Sequence, residues 1–214
     1  MAGAMRILAD RGGVVFVDKP AGLPSTGRDL DDPNCVQRRL QEALGRRVWA
    51  AHQLDRGTSG VLVFVTRRSL VAPTQQALAR GRKRYLALAH GRLAEPRRVI
   101  EAPLRYVRRQ ARPAVVPDGK YARTEVLLRQ RGERASLVEA RPRTGRTHQI
   151  RVHLAHVGHP IVGDALHGLG PAARLGLHCW RLRLEGEWVE APVPADFRSL
   201  GEELGLSLAG QRSF

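Results

Sequence analysis

The sequence predicts an α+β domain, and three observations carry that prediction. Apolar β-type runs recur along the chain, helical spacing occurs between only some of them, and the order lacks the regular strand–helix alternation of a parallel sheet. With 43% hydrophobic residues in 214, there is enough apolar side chain for one packed core. No fixed-period repeat, low-complexity tract or linker divides the chain, so a single domain over 1–214 is expected.

Residues 14–17 (Val-Val-Phe-Val) form a β-type run halted by the turn signal Lys19-Pro20-Ala21-Gly22. Val36, Leu40, Ala43 and Leu44 recur at helical spacing and stop at Gly45, a C-terminal cap. Residues 60–65 are almost continuously apolar, the pattern of a strand buried on both faces. A helix over 69–80 and a strand over 85–90 follow. The stretch 95–119, rich in Pro and Arg, reads as irregular connection. Residues 124–129 and 135–140 pair as a hairpin across Arg131-Gly132-Glu133. Residues 146–157 read as a helix with Ile150, Leu154 and Val157 on one stripe, ended by Gly158 and Pro160. Strands over 178–184 and 188–189 close the pattern.

Lys and Arg total 36 against 20 Asp and Glu, a formal net charge of +16, and 33 of the 36 are arginine. Arginine reads phosphate with two parallel N–H groups where lysine offers a point charge. The composition therefore points to a polyanion partner and away from an acidic or neutral metabolite. Two cysteines, Cys35 and Cys179, support neither a disulfide framework nor a CxxC motif, and they fit thiols in a reducing compartment. Arg6 and Asp10 interrupt the amino terminus where a secretory signal needs an unbroken apolar stretch. The longest apolar runs are strand-sized, so a soluble, cytoplasmic protein is expected.

Several chemical motifs fail on spacing. His148, His153, His156 and His159 match no zinc pattern, and they read as surface and capping histidines, with no metal expected. Ser59 lacks the second glycine of a nucleophile elbow, because Val61 stands there. Gly168-Leu169-Gly170 follows no strand and contains Pro171 just after it, so it reads as a loop rather than a dinucleotide site. A nuclease would need a carboxylate cluster that the sequence lacks.

Two segments do carry chemistry. His52-Gln53-Leu54-Asp55-Arg56-Gly57-Thr58-Ser59-Gly60 sets an acidic residue in a polar loop that ends at a buried strand. Residues 143–153 set a helix N-terminus behind Thr147, with Arg146 and Arg151 nearby, an arrangement that binds phosphate or carboxylate. Taken alone, Asp55 is a turn or capping residue; the two segments together argue for a site.

These segments resemble the signature of the RluA family of RNA pseudouridine synthases. The family's His-Arg-Leu-Asp-x-x-Thr-Ser-Gly is matched by 52–60 except at Gln53. Asp18-Lys19-Pro20-Ala21-Gly22-Leu23, the tyrosine-bearing run 83–91, Gly119-Lys120 with Ala122 and Thr124, the block 143–153, and 158–164 are similar to further family motifs. The resemblance implies a pseudouridine synthase-type domain on a mixed, mostly antiparallel sheet flanked by helices. Its core is placed at about 12–195 and its tail at 196–214, without a separate S4-like RNA-binding domain.

It implies an isomerase that converts uridine to pseudouridine in structured rRNA or tRNA without a cofactor, acting as a monomer. A non-catalytic RNA-binding protein retaining the fold is the alternative. Asp55 matches the essential aspartate, Tyr85 the tyrosine that stacks on the target base, and Arg151 the arginine that pairs with the aspartate. Ile150 matches an apolar position lining the base pocket. His52, Gln53, Arg56, Thr58, Arg146, His148 and Gln149 are the further candidates for contact with substrate. Gln53 departs from the family arginine, exchanging a charge for a hydrogen-bonding amide, and His167 stands where a tyrosine is frequent. The clusters Arg80, Arg82, Arg84 and Arg105, Arg108, Arg109, Arg112 are the expected RNA-holding arginines.

Overall fold

The computed structural model describes residues 5–27 and 32–208. They divide into two compact units, one formed by residues up to 83 with 179–192, the other by 84–178 with those from 193 onward.

The first unit contains β1 (Ile7–Arg11), β2 (Val14–Lys19), α1 (Val36–Leu44), β3 (Trp49–Ala50), β4 (Ser59–Val65) and α2 (Val71–Arg80), with β11 (Leu177–Leu184, whose first two residues belong to the second unit) and β12 (Glu187–Glu190) returning late in the chain. Its strands lie in the order β1-β2-β4-β11, with β3 beside β4 and β12 beside β11. β2 runs antiparallel to β4, from Val14 opposite Val65 to Lys19 opposite Gly60. Every residue of β4 is buried, as its unbroken Val, Leu and Phe content requires of a central strand. α1 buries Val36 and Leu40; it starts at Cys35, whose Sγ accepts the Arg38 N–H, and ends at left-handed Gly45.

Gly60 is the tightest point of this unit. Its φ is +110°, and a Cβ there would lie 2.1 Å from the Cys179 carbonyl oxygen. Only a residue without a side chain lets β11 approach the start of β4 so closely.

The second unit contains β5 (Arg82–His90, whose first two residues belong to the first unit), β6 (Arg97–Glu101), β7 (Leu104–Val107), β8 (Arg112–Val115), β9 (Arg123–Arg131), β10 (Ala135–Pro142), α3 (Gln149–His156) and α4 (Ala195–Glu203). The order β5-β10-β9-β6 is antiparallel throughout, and β7 and β8 form a separate hairpin. α3 packs on one face, where buried His153 meets the Thr124 hydroxyl at 2.9 Å and the Ala102 carbonyl at 3.0 Å. α4 covers the Leu88 end of the other face, with Gly201 against that side chain and Phe197 fully buried.

Three expectations change. Residues 95–119 are not irregular, since β6, β7 and β8 lie there. β6 is an edge strand in which only Ile100 is buried, so arginine on its solvent face hid the alternation, and Pro113 is tolerated because β8 pairs on one side only. The helix expected from 146 starts at Gln149, because His148 adopts a left-handed conformation at φ 52°. His153 is fully buried rather than a surface histidine. β1 and α4 went unanticipated; the expected tail instead begins with a helix that buries Phe197 and Leu200. Cys35 and Cys179 are both buried thiols outside any disulfide. Among the described residues no helix is long and apolar enough to cross a membrane.

Gly60→Ala is expected to cost about 3 kcal/mol or more, from backbone strain and overlap together. Calorimetry should show Tm falling by roughly 6–12 °C; an unchanged Tm would mean that the approach of β11 is not constrained as described.

Candidate active site

In the first unit, Asp55 sits on an irregular loop immediately before β4, half-buried, with its carbonyl accepting the Thr58 N–H at 3.0 Å. That bond closes a turn through Arg56 and Gly57. The connection after β2 holds the loop from the other side. Ser25, itself buried, donates to the Leu54 carbonyl at 2.9 Å and accepts the Leu54 N–H at 3.0 Å. Gly22 N–H donates to the Arg56 carbonyl at 2.9 Å, while Arg56 Nε donates to the Gly22 carbonyl at 2.8 Å. Lys19 is fully buried, and its ammonium donates to the carbonyls of Pro20 at 2.9 Å and Arg56 at 3.1 Å. Gln53, exposed, donates from Nε2 to Thr26 Oγ1 at 3.2 Å.

A buried polar backbone must find partners or cost free energy, and here Lys19, Gly22 and Ser25 supply them. The functional loop is thereby fixed on both sides of Asp55. Thr58 is buried against the start of β4, and Arg56 is tied to the loop's own brace. His52 lies in the same unit as Lys83 at the start of β5. Burial, reinforced by the Lys83 ammonium, pushes its imidazole well below the usual histidine range, and burial likewise lowers Lys83. His52 is therefore neutral at pH 7.

In the second unit, Tyr85 lies on β5, buried and opposite Ala140 of β10. Arg151, on α3, forms a bidentate pair with Asp164: Nε to Oδ2 at 2.8 Å and Nη2 to Oδ1 at 2.7 Å. Oδ1 also accepts the N–H groups of Leu166 and His167, each at 3.0 Å. Burial works against ionisation of Asp164, but the Arg151 hydrogen bonds and charge, with the two N–H groups, outweigh it and hold the carboxyl below its usual value. The two planar groups fix the guanidinium plane.

The turn before α3 is locked in the same way. Gln149 is buried, and its amide is committed to the protein: Oε1 accepts from Thr144 Oγ1 at 2.7 Å and from Arg146 N–H at 3.0 Å, while Nε2 donates to the Arg123 carbonyl and Thr124 Oγ1, both at 3.0 Å. Those four bonds make Gln149 a positioning residue. His148 Nδ1 and His167 Nε2 meet at 3.1 Å with their rings nearly perpendicular. Burial, with Arg151, His148 and Arg112 adding to it against Asp164, pushes His167 down to about 4. Arg146 is exposed and donates to the Tyr121 carbonyl at 3.1 Å, and Ile150 is buried.

The structure thus gathers His52, Gln53, Asp55, Arg56 and Thr58 on one braced loop, and Arg146, His148, Gln149, Ile150 and Arg151 on one turn and helix. Three positioning residues were not singled out by sequence, Lys19, Ser25 and Asp164, and His167 stood out only as a departure from a family tyrosine. Lys19 and Asp164 fell inside quoted motifs, yet nothing local in either motif signals the distant carbonyl or guanidinium it serves. No group of three metal-ligating side chains occurs among the described residues.

Residues 13–156 match the family described as RNA pseudouridylate synthase. The chain belongs to that family. Both RluA-type segments, the loop at Asp55 and the helix at Arg151, lie inside the matched stretch. This synthase-family chain is 42% identical over 209 residues to an uncharacterized RNA pseudouridine synthase of Chloroflexus aurantiacus, covering 87% of itself and 65% of that protein. It thus spans slightly under two thirds of that relative. It is 32% identical to tRNA pseudouridine synthase C of Vibrio cholerae, across 84% of itself and 85% of the other. The human protein RNA Pseudouridylate Synthase Domain Containing 1 superposes with a TM-score of 0.77 at 27% identity, over 90% of this chain and 84% of that one. The α+β fold is that of the family.

Asp164→Asn removes the charge that holds Arg151 and is expected to destabilise the protein by about 3–5 kcal/mol, the cost of leaving one member of a buried pair unmatched. Urea unfolding of the variant measures it; a loss under about 1 kcal/mol would place the pair among surface bridges of little consequence.

Proposed function

We propose that this chain is an RNA pseudouridine synthase that isomerises uridine in structured rRNA or tRNA. The observation that supports this most directly is the half-buried carboxylate of Asp55 on a loop whose backbone is fixed from both sides, within a stretch that matches the family. A tRNA-modifying relative across most of both chains points the same way.

Asp55 acts on the target nucleotide so that the bond between uracil N1 and the ribose breaks. The freed uracil rotates, its C5 bonds to the ribose carbon, the C5 proton leaves, and N1 takes up a proton. Atoms balance without an outside oxidant or co-reactant, and no cofactor enters. Tyr85 stacks on the target base, which must leave its helix for the bond to be reached. Arg151, its guanidinium held in plane by Asp164, is the orienting arginine of the reaction. Ile150 supplies apolar surface beside the base, and Gln53 offers an amide to the bases left behind. His52, Arg56, Thr58, Arg146 and His148 are further contacts for the RNA. The protein works in the cytoplasm as a monomer.

Tritium release from RNA carrying 5-tritiated uridine reads the departing C5 proton. Wild type is expected to release tritium, and Asp55→Ala to lose it by about a hundredfold or more. Release that survives in the variant contradicts the role of Asp55. No release from any RNA favours a binding protein that keeps the fold.

A further inference from the structure

The face of the β5-β10-β9-β6 sheet opposite Tyr85 carries an organised set of charges. Strand register places Glu139 opposite Leu127 and Leu86, and Arg141 opposite Glu125, so these residues share a face while Tyr85, one residue from Leu86, points to the other. Glu139 is fully buried and is held by Arg129, Arg141 and, at 3.7 Å, Arg84. Glu125 is nearly buried and is held by Arg97 at 2.8 Å and Arg143 at 3.1 Å. Glu101 binds Arg123 and accepts from the Tyr121 hydroxyl at 3.1 Å.

Burial opposes ionisation of Glu139 and Glu125, yet the hydrogen bonds and charges of their arginines outweigh it, and both carboxyls stay below the usual range. Six guanidinium groups over three carboxylates leave three positive charges in excess. Each carboxylate fixes its arginines from beneath, while a guanidinium has five N–H donors and gives only one or two of them to its carboxylate. Arg97 keeps 63% of its side chain exposed, and Arg143 keeps 41%. Tyr121, 57% exposed, adds an aromatic face among these cations. The row does not end on the sheet: Arg143 and the Tyr121–Arg146 contact lead into α3, which carries Arg151.

We propose that this arginine row is a docking surface for the phosphate backbone of the substrate RNA, away from the target nucleotide. It rests on the reading of the chain as an enzyme acting on RNA. RNA phosphate is favoured over an acidic peptide because the row runs on through Arg143 and Arg146 toward the helix of Arg151 in a chain that acts on RNA, and the pre-fixed planar guanidiniums lose little freedom on gripping it. Stability alone does not call for such a row, since apolar residues of similar volume serve as well as buried ion pairs. The arginine clusters contiguous in sequence contribute Arg84 to the row, whereas Arg105 is committed to Asp118 and Arg112 to the Leu166 carbonyl.

The test uses the intact chain, an unmodified tRNA transcript as probe, and filter binding across a KCl series. Triple substitution Arg97→Gln, Arg129→Gln, Arg143→Gln is expected to lower the slope of log K against log salt by about 2, at roughly 0.7–0.9 per phosphate contact, and to weaken binding at least tenfold. Circular dichroism checks folding; if the triple variant is unfolded, Arg97→Gln alone should lower the slope by somewhat under 1, and Arg97→Lys should restore it. Unchanged slope and affinity in a folded variant overturn the proposal and leave the row open to an acidic protein. If wild type releases no tritium while the slope still falls, the surface stands and the catalytic reading fails; if wild type binds tRNA without salt dependence, the surface fails.

Discussion

A buried backbone that is not part of a helix or sheet must be hydrogen-bonded by something else, and the placement of Asp55 depends on how this chain meets that demand. β4 is buried along its whole length, so the backbone of the loop delivering Asp55 to its start needs hydrogen-bond partners of its own. Ser25 clasps both backbone groups of Leu54, Lys19 puts an ammonium under the Arg56 carbonyl, and Gly22 exchanges two bonds with Arg56. The brace comes from the segment after β2, which the β2–β4 pairing carries to the same end of the strand, Lys19 facing Gly60. Gly60 in turn admits the β11 backbone. Pairing, loop and carboxylate thus form one chain of dependence.

The second unit solves the opposite problem, an excess of charge, by building it into structure. Carboxylates are scarce in this chain, and the buried ones each organise arginines: Asp164 one, Glu125 two, Glu139 three. A net charge of +16 would spread as mutual repulsion if its guanidiniums were free to wander. Pinned in rows, the same charge becomes a surface with direction. Arg151, fixed in plane by Asp164, is the smallest example of the device, and the β5-β10-β9-β6 face is the largest.

What the sequence made legible was whatever is local. Strands with unbroken apolar runs, such as β4, and a helix with a stripe and a glycine stop, such as α1, announce themselves within ten residues. β6 did not, because an edge strand shows one buried residue in five and its arginines mask the period. α3 was expected three residues too early, because the left-handed turn at His148 depends on the Gln149 amide and the His167 ring, partners up to 19 residues away. The loop of Asp55 was found from its motif, whereas the lysine and serine that brace it act across 37 and 29 residues. The arginine row was invisible for a further reason: its members alternate along four strands, so no window of sequence contains them together.

Amide hydrogen exchange at Leu54 and Gly22 tests the central claim most directly. If the loop is braced as described, both amides are protected in the native protein to a degree approaching β4. Ser25→Ala should then speed exchange at Leu54 by roughly tenfold or more, the effect of removing a buried hydrogen bond of about 1–3 kcal/mol, while the β4 amides keep their protection. Leu54 and Gly22 exchanging in wild type at the rate of an unstructured peptide would contradict the account, because Asp55 would then sit on a loop that nothing holds.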